Sequence, residues 1–180
     1  SIDHEEKVIY LGTFSKSIAP SLRISCMVLP LHLLKKYQES CSFYSTTVSK
    51  IQQEVLREFI RGGYFGRHLN KMRGIYKNKH DFLVGELKKK NWVENIAGDN
   101  AGLHVLVQVN TTLTEEEICK KAAECGIRLM GIREHYIHTP PEGRPVLLLG
   151  YGKPDEQEIQ KGLEVLESIV LENRIPLPLR

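Results

Sequence analysis

Thr13-Phe14-Ser15-Lys16, with Arg23 seven residues beyond the lysine, is the part of this chain whose side chains could do chemistry together. A lysine amine condenses with an aldehyde to form a Schiff base, and hydroxyl and guanidinium groups bind phosphate oxygens. The set therefore suits a phosphorylated aldehyde, bonded at one end and held by its phosphate at the other. Each residue also has an ordinary reading. A lysine after a strand is commonly a surface residue, Ser and Thr are common in turns, and Arg23 could pair with a distant carboxylate. The four together are a stronger signal than any one of them. A low-dielectric loop with a second cation makes a lysine a better nucleophile, and a phosphate would satisfy an arginine placed at the start of a buried strand.

Two apolar runs must position that segment. Residues 7–12 read as a strand, and the unbroken Val8-Ile9-Tyr10-Leu11 run predicts burial on both faces, as in a parallel sheet. Residues 22–29 read as a second strand that stops at Pro30, with residues 17–21 as the intervening turn. Cys26, within the second run, is expected in the core. A helix follows over residues 31–39. Residues 49–60 form another, with Ile51, Val55, Leu56 and Phe59 at helical spacing and Gly62-Gly63 as its stop. Residues 65–90 read as one long helix. Strands are expected at 92–96, 103–109, 127–130 and 146–150. Thr114 and Glu117 have capping-box spacing for a helix ending at Gly126. Pro154 begins a last amphipathic helix that turns Ile159, Leu163, Leu166 and Val170 inward. Residues 139–143 read as a loop and residues 175–179 as an extended tail. The layout is an α/β remnant over residues 1–62, then a bridging helix and a small α+β domain over residues 63–180, with the boundary near Gly62-Gly63.

The composition narrows the function classes. The 180 residues suffice for one domain or two small ones, and 41% hydrophobic with 26% charged residues is ordinary for a globular protein. A net charge of +3 does not suggest a nucleic-acid surface on this stretch. No apolar run reaches the length of a membrane span. Cys26, Cys41, Cys119 and Cys125 match no zinc or CxxC spacing, and His135-x-x-His138 reads as a chance pair among loop signals, so no metal is expected. Sparse cysteine fits a reducing cytoplasm. The chain starts at Ser1 and runs almost at once into a buried-type strand, which suggests the C-terminal piece of a longer protein.

Residues 12–25, Gly-Thr-Phe-Ser-Lys-Ser-Ile-Ala-Pro-Ser-Leu-Arg-Ile-Ser, resemble the cofactor-lysine segment of fold-type-I pyridoxal-phosphate aminotransferases. Within that group the chain is most similar to MocR/GabR-type bacterial regulators of the GntR family, which fuse a winged-helix DNA-binding domain to an aminotransferase-like domain. Residues 66–73 resemble the start of their interdomain helix. Residues 101–104 resemble the entry to a small-domain strand, and residues 148–152 resemble the last strand. The resemblance implies pyridoxal 5'-phosphate as cofactor, Lys16 as the lysine of the internal aldimine, and Thr13, Ser15 and Arg23 as holders of the phosphate. It further implies a cytoplasmic homodimer, an amino acid or amine ligand, and DNA contact through a winged helix outside this chain.

The sequence also departs from the pattern. Related aminotransferases carry an arginine in the last strand for the substrate carboxylate, and Leu148 occupies the equivalent position. Arg144 or Arg133 is a candidate substitute, each also readable as a surface residue. His104 is a candidate for facing the ligand, or a structural histidine at a strand start. The family's aspartate under the pyridine nitrogen, its ring-stacking residue and a tyrosine near the cofactor oxygen would lie upstream of Ser1. The expectation is thus that these 180 residues alone bind the cofactor weakly and catalyse nothing useful. Three functions remain open: a regulator's effector domain, an aminotransferase acting on amino acids, and an interaction module with a decayed site.

Overall fold

The computed structural model describes residues 3, 5–98, 102–139 and 142–173. Parts of the predicted 139–143 loop, Ala101 and the predicted 175–179 tail lie outside the described residues. The chain divides into two compact units, Ser1–Arg73 and Gly74–Arg180.

In the first unit, β1 (Tyr10–Thr13) pairs antiparallel with β2 (Ser25–Val28), in a register that sets Gly12 against Cys26 and Thr13 against Ser25. Between them lie a single helical turn, α1 (Phe14–Ser17), and a 3-10 turn over Pro20–Leu22. Proline at the start of that turn fixes its φ, and Arg23 closes it in the left-handed region at φ 51°. α2 (Leu31–Cys41) and α3 (Lys50–Arg61) follow. α3 opens on a capping box between Ser49 and Gln52 and stops at Gly62-Gly63, where Gly63 has φ 72°.

Three expectations are corrected here. The β1 strand starts at Tyr10, not Lys7, and its partnership is antiparallel. Its residues are exposed, Leu11 by 77%, although the sequence predicts burial on both faces. Cys26 is exposed as well, not a core residue. One cause underlies the exposure. Among the described residues the β1–β2 pair is a two-stranded sheet, and two strands cannot enclose a face. The apolar side of α3 is likewise uncovered, Ile51 being 77% exposed.

α4 (Tyr64–Lys88) is one helix of 25 residues, and the division between the units falls within it. The second unit is an antiparallel sheet of order β3-β4-β6-β5: β3 (Val93–Ala97), β4 (His104–Val109), β6 (Val146–Gly150) and β5 (Met130–Gly131). Strict alternation along β4 buries Val105, Val107 and Val109, and β6 buries Leu147 and Leu149. These side chains pack with Leu83, Val84 and Leu87 of α4, with α5 (Glu115–Glu124), and with α6 (Glu156–Leu171). α6 contributes Ile159, Leu163, Leu166 and Val170, the residues its spacing predicts. Capping boxes start both helices, Thr114 with Glu117 and Asp155 with Glu158. Gly126 ends α5 at φ 78°, a conformation that favours glycine. The core therefore belongs mainly to the second unit, while the lysine segment belongs to the first.

Candidate functional site

Thr13 organises the lysine segment. It ends β1 with extended backbone and caps α1, its Oγ1 accepting the Ser15 N–H at 3.3 Å. The same hydroxyl donates weakly to the Ile24 carbonyl at 3.5 Å, and the Phe14 N–H donates to that carbonyl at 2.9 Å. Ser17 Oγ donates to the Thr13 carbonyl at 3.2 Å. Buried Ile24 thus ties the end of β1 to the start of β2, so the lysine turn and the arginine turn are two sides of one closed loop. Lys16 rides on the single turn of α1 and is exposed.

Arg23 sits in a left-handed conformation that costs an L-residue about 1 kcal/mol. Such strain is commonest where a side chain has a task. The electrostatics fit that task. No Asp or Glu occurs between Glu6 and Glu39, while Lys16 and Arg23 lie within that stretch. Neither cation has an ion-pair partner among the described residues. Two hydroxyls, one amine and one guanidinium therefore stand in a loop with no carboxylate to compete. That donor set fits the phosphate and aldehyde of pyridoxal phosphate. When bound, the cofactor supplies an electron sink beside the amine of its ligand. Were it bound, Lys16 Nζ would be the group for its carbon end, and Ser15, Thr13 and Arg23 the groups for its phosphate.

The second unit holds the remaining candidates, and they are not gathered into one cluster. His104 opens β4, exposed, across from Gly150. Beside it, Tyr151 donates its hydroxyl to the Gly102 carbonyl at 2.8 Å, and burial pushes its phenol above the usual value. Leu148 pairs with Leu106 on one side and Met130 on the other, an apolar row across the sheet. Arg144 is committed elsewhere, to the Asn110 side-chain oxygen and to Glu94. Arg133 donates its main-chain N–H to Glu115 at 2.9 Å and its guanidinium to the Gly143 carbonyl at 3.3 Å. Both arginines are thus engaged in structural contacts.

Two participants escape the sequence reading. Ser17 buttresses Thr13 at an i−4 spacing that was visible but ambiguous in a presumed turn. Glu115, a helix-start residue that normally faces water, is buried and holds two backbone N–H groups of the sheet edge.

A closed loop carrying a lysine and an arginine, followed by a long helix and a four-stranded antiparallel α+β unit, defines an aminotransferase-type chain. The family described as aminotransferase class I and II matches residues 1–159, and the chain belongs to that family. It is 38% identical over 168 residues to the uncharacterised HTH-type transcriptional regulator YdeL of Bacillus subtilis, covering 93% of this chain and 36% of the regulator. It is 30% identical over 182 residues to the probable rhizopine catabolism regulatory protein MocR of Rhizobium meliloti, covering 99% of this chain and 36% of that protein. The chain thus spans about a third of the length of these regulators. Among solved structures, a kynurenine aminotransferase of Pyrococcus horikoshii, in complex with PMP, superposes with TM-score 0.76 at 26% identity, over 95% of this chain and 42% of that one. A multiple substrate aminotransferase of Thermococcus profundus gives TM-score 0.78 at 23% identity, over 95% and 42%. Pyridoxal phosphate is the cofactor to which the family and these neighbours point. No helix among the described residues is long and apolar enough to cross a membrane.

Proposed function

We propose that this chain is the cofactor-bearing part of an effector domain in a DNA-binding transcriptional regulator. Lys16 bonds pyridoxal phosphate, and Thr13, Ser15 and Arg23 hold its phosphate. An amino acid or amine engages the cofactor and shifts the regulator between conformations, with residues 1–62 and 63–180 as the moving parts and a hinge near Gly62-Gly63. DNA is bound by a winged-helix domain elsewhere in the intact protein, which acts as a cytoplasmic homodimer. The observation that carries this function is the lysine loop, whose two cations have no carboxylate partner among the described residues. The apolar row at Leu148 and the engagement of Arg144 and Arg133, the two candidate substitutes for an arginine at that position, favour sensing over turnover. His104 is the second unit's candidate for ligand contact.

The alternative is an aminotransferase acting on amino acids, favoured by the likeness to solved aminotransferases. One experiment separates the two. Full-length protein is mixed with pyridoxal phosphate, the absorbance band of lysine-bound cofactor is recorded for wild type and Lys16→Ala, and amino-group transfer is assayed over a panel of amino acids. Sensing predicts a band that vanishes in Lys16→Ala and no sustained transfer. An unchanged band in Lys16→Ala removes Lys16 from its role, and sustained transfer selects the enzyme.

A further inference from the structure

A groove of about 530 Å³ runs along the second unit between residues 126–129, the end of β6 and the first half of α6. That is the size of a small-molecule site. Leu83, Leu148, Leu149, Ile159, Leu163 and Leu166 line it. Glycines keep it open. A Cβ at Gly126 or Gly162 would meet nothing within 4 Å, and one at Gly150 only the Leu103 carbonyl oxygen at 3.9 Å.

The rim is basic. Arg128, Lys153 and Lys161 line the same groove and are exposed. Among the described residues, none of these three side chains has an ion-pair or hydrogen-bond partner. The one carboxylate in the lining, Glu158, is committed to the α6 capping box, its Oε2 accepting the Asp155 N–H at 2.9 Å. An apolar floor with three unpartnered cations along its edge is complementary to one kind of ligand. The ligand needs a hydrocarbon body, to remove the leucines from water, and a single anionic end, to meet the cations.

We propose that this groove binds an apolar carboxylate, with its hydrocarbon against the leucines and its carboxylate among Arg128, Lys153 and Lys161. All the lining residues belong to the second unit, so, resting on the regulator reading above, the groove would give that unit a ligand of its own. A neutral apolar compound would use the floor but leave the rim charges unmet. A polypeptide segment would fill the floor without requiring the cations.

Sodium octanoate is the probe and octan-1-ol the uncharged control, titrated calorimetrically into full-length protein and its Lys16→Ala variant. Octanoate should bind with a dissociation constant below about 1 mM, and octan-1-ol about ten-fold more weakly. Lys16→Ala should bind octanoate as wild type does, which separates this site from the cofactor lysine. Gly162→Leu places a side chain in the open space and replaces a poor helix former by a good one. It should keep the circular dichroism and the melting temperature while abolishing octanoate binding. Lys153→Met combined with Lys161→Met should reduce octanoate to the level of octan-1-ol.

Equal binding of octanoate and octan-1-ol by wild type, or undiminished binding by Gly162→Leu, overturns the proposal. So does absence of octanoate binding with a lowered melting temperature in Gly162→Leu, which would mean that another segment of the polypeptide fills the groove.

Discussion

Removing the Glu115 side chain should unfasten one edge of the second unit's sheet, by an amount the geometry sets. Its Oε2 accepts the Arg133 N–H and its Oε1 the Val146 N–H, each at 2.9 Å. Those donors belong to the corner just after β5 and to the first residue of β6. A buried donor left without a partner costs about 1–3 kcal/mol, and these two bonds are only part-buried, so the pair puts Glu115→Ala at about 2–5 kcal/mol. Water entering the adjoining cavity of about 180 Å³ recovers part of this, which brings the expected loss to about 2–4 kcal/mol. The Arg133 guanidinium adds little, because it is 3.9 Å from the carboxylate and 43% exposed. Gly131→Ala attacks the same contact from the other side. Its Cβ would fall 2.2 Å from Glu115 Oε2 and 2.7 Å from Glu115 Cβ, so the carboxylate must move out. The assay is urea denaturation followed by far-ultraviolet circular dichroism on wild type, both single variants and the double. The double should cost less than the sum of the singles, because both perturb one contact. A loss below about 1 kcal/mol for Glu115→Ala, the size of an ordinary surface change, or full additivity in the double, refutes the reasoning.

Three further outcomes are expected. Arg23→Gly should stabilise the cofactor-free protein by about 1 kcal/mol, by relieving the left-handed strain, while weakening pyridoxal phosphate binding; titrations of both properties on the same samples check the opposed signs. Glu167 accepts hydrogen bonds from Lys90 Nζ at 2.7 Å and Trp92 Nε1 at 3.1 Å; the Lys90 bond foremost, against the opposing effect of burial, holds its carboxyl below the usual 4.5. A carboxyl lowered on folding contributes stability that is present above the unfolded value and lost as pH falls through the folded one, so Glu167→Gln should flatten the acid limb of stability against pH below about 4.5, measured by melting temperature. Burial pushes the Cys119 thiol up, whereas Cys125 at the end of α5 is exposed; alkylation followed by peptide mass analysis should therefore label Cys125 before Cys119.

Features encoded by neighbouring residues were legible in the sequence. The Thr114–Glu117 box, the β6 strand and the inward side of α6 all depend on spacings of a few residues. The lysine loop was legible for the same reason, since its chemistry lies within eleven residues from Thr13 to Arg23. α1 was read as part of a loop because four residues are too few to show a helical period. The predicted burial of Leu11 and Cys26 failed for a different reason. Hydropathy reports what a residue needs covered, while covering depends on neighbours that the β1–β2 pair does not have among the described residues. Glu115 was illegible because its partners lie 18 and 31 residues away, and no local pattern marks a helix-start glutamate that turns inward.

Trp92 is the single tryptophan of these 180 residues, and it has no accessible surface. Its indole lies in the second unit, pinned by one hydrogen bond to Glu167, while Lys16 lies in the first. Indole emission from this chain is therefore an intrinsic, one-site optical reporter, silent about the unit in which the cofactor would attach. A shift in that emission on addition of pyridoxal phosphate would be read in the second unit, while Lys16 belongs to the first. It would time the passage of information from one unit to the other without any label.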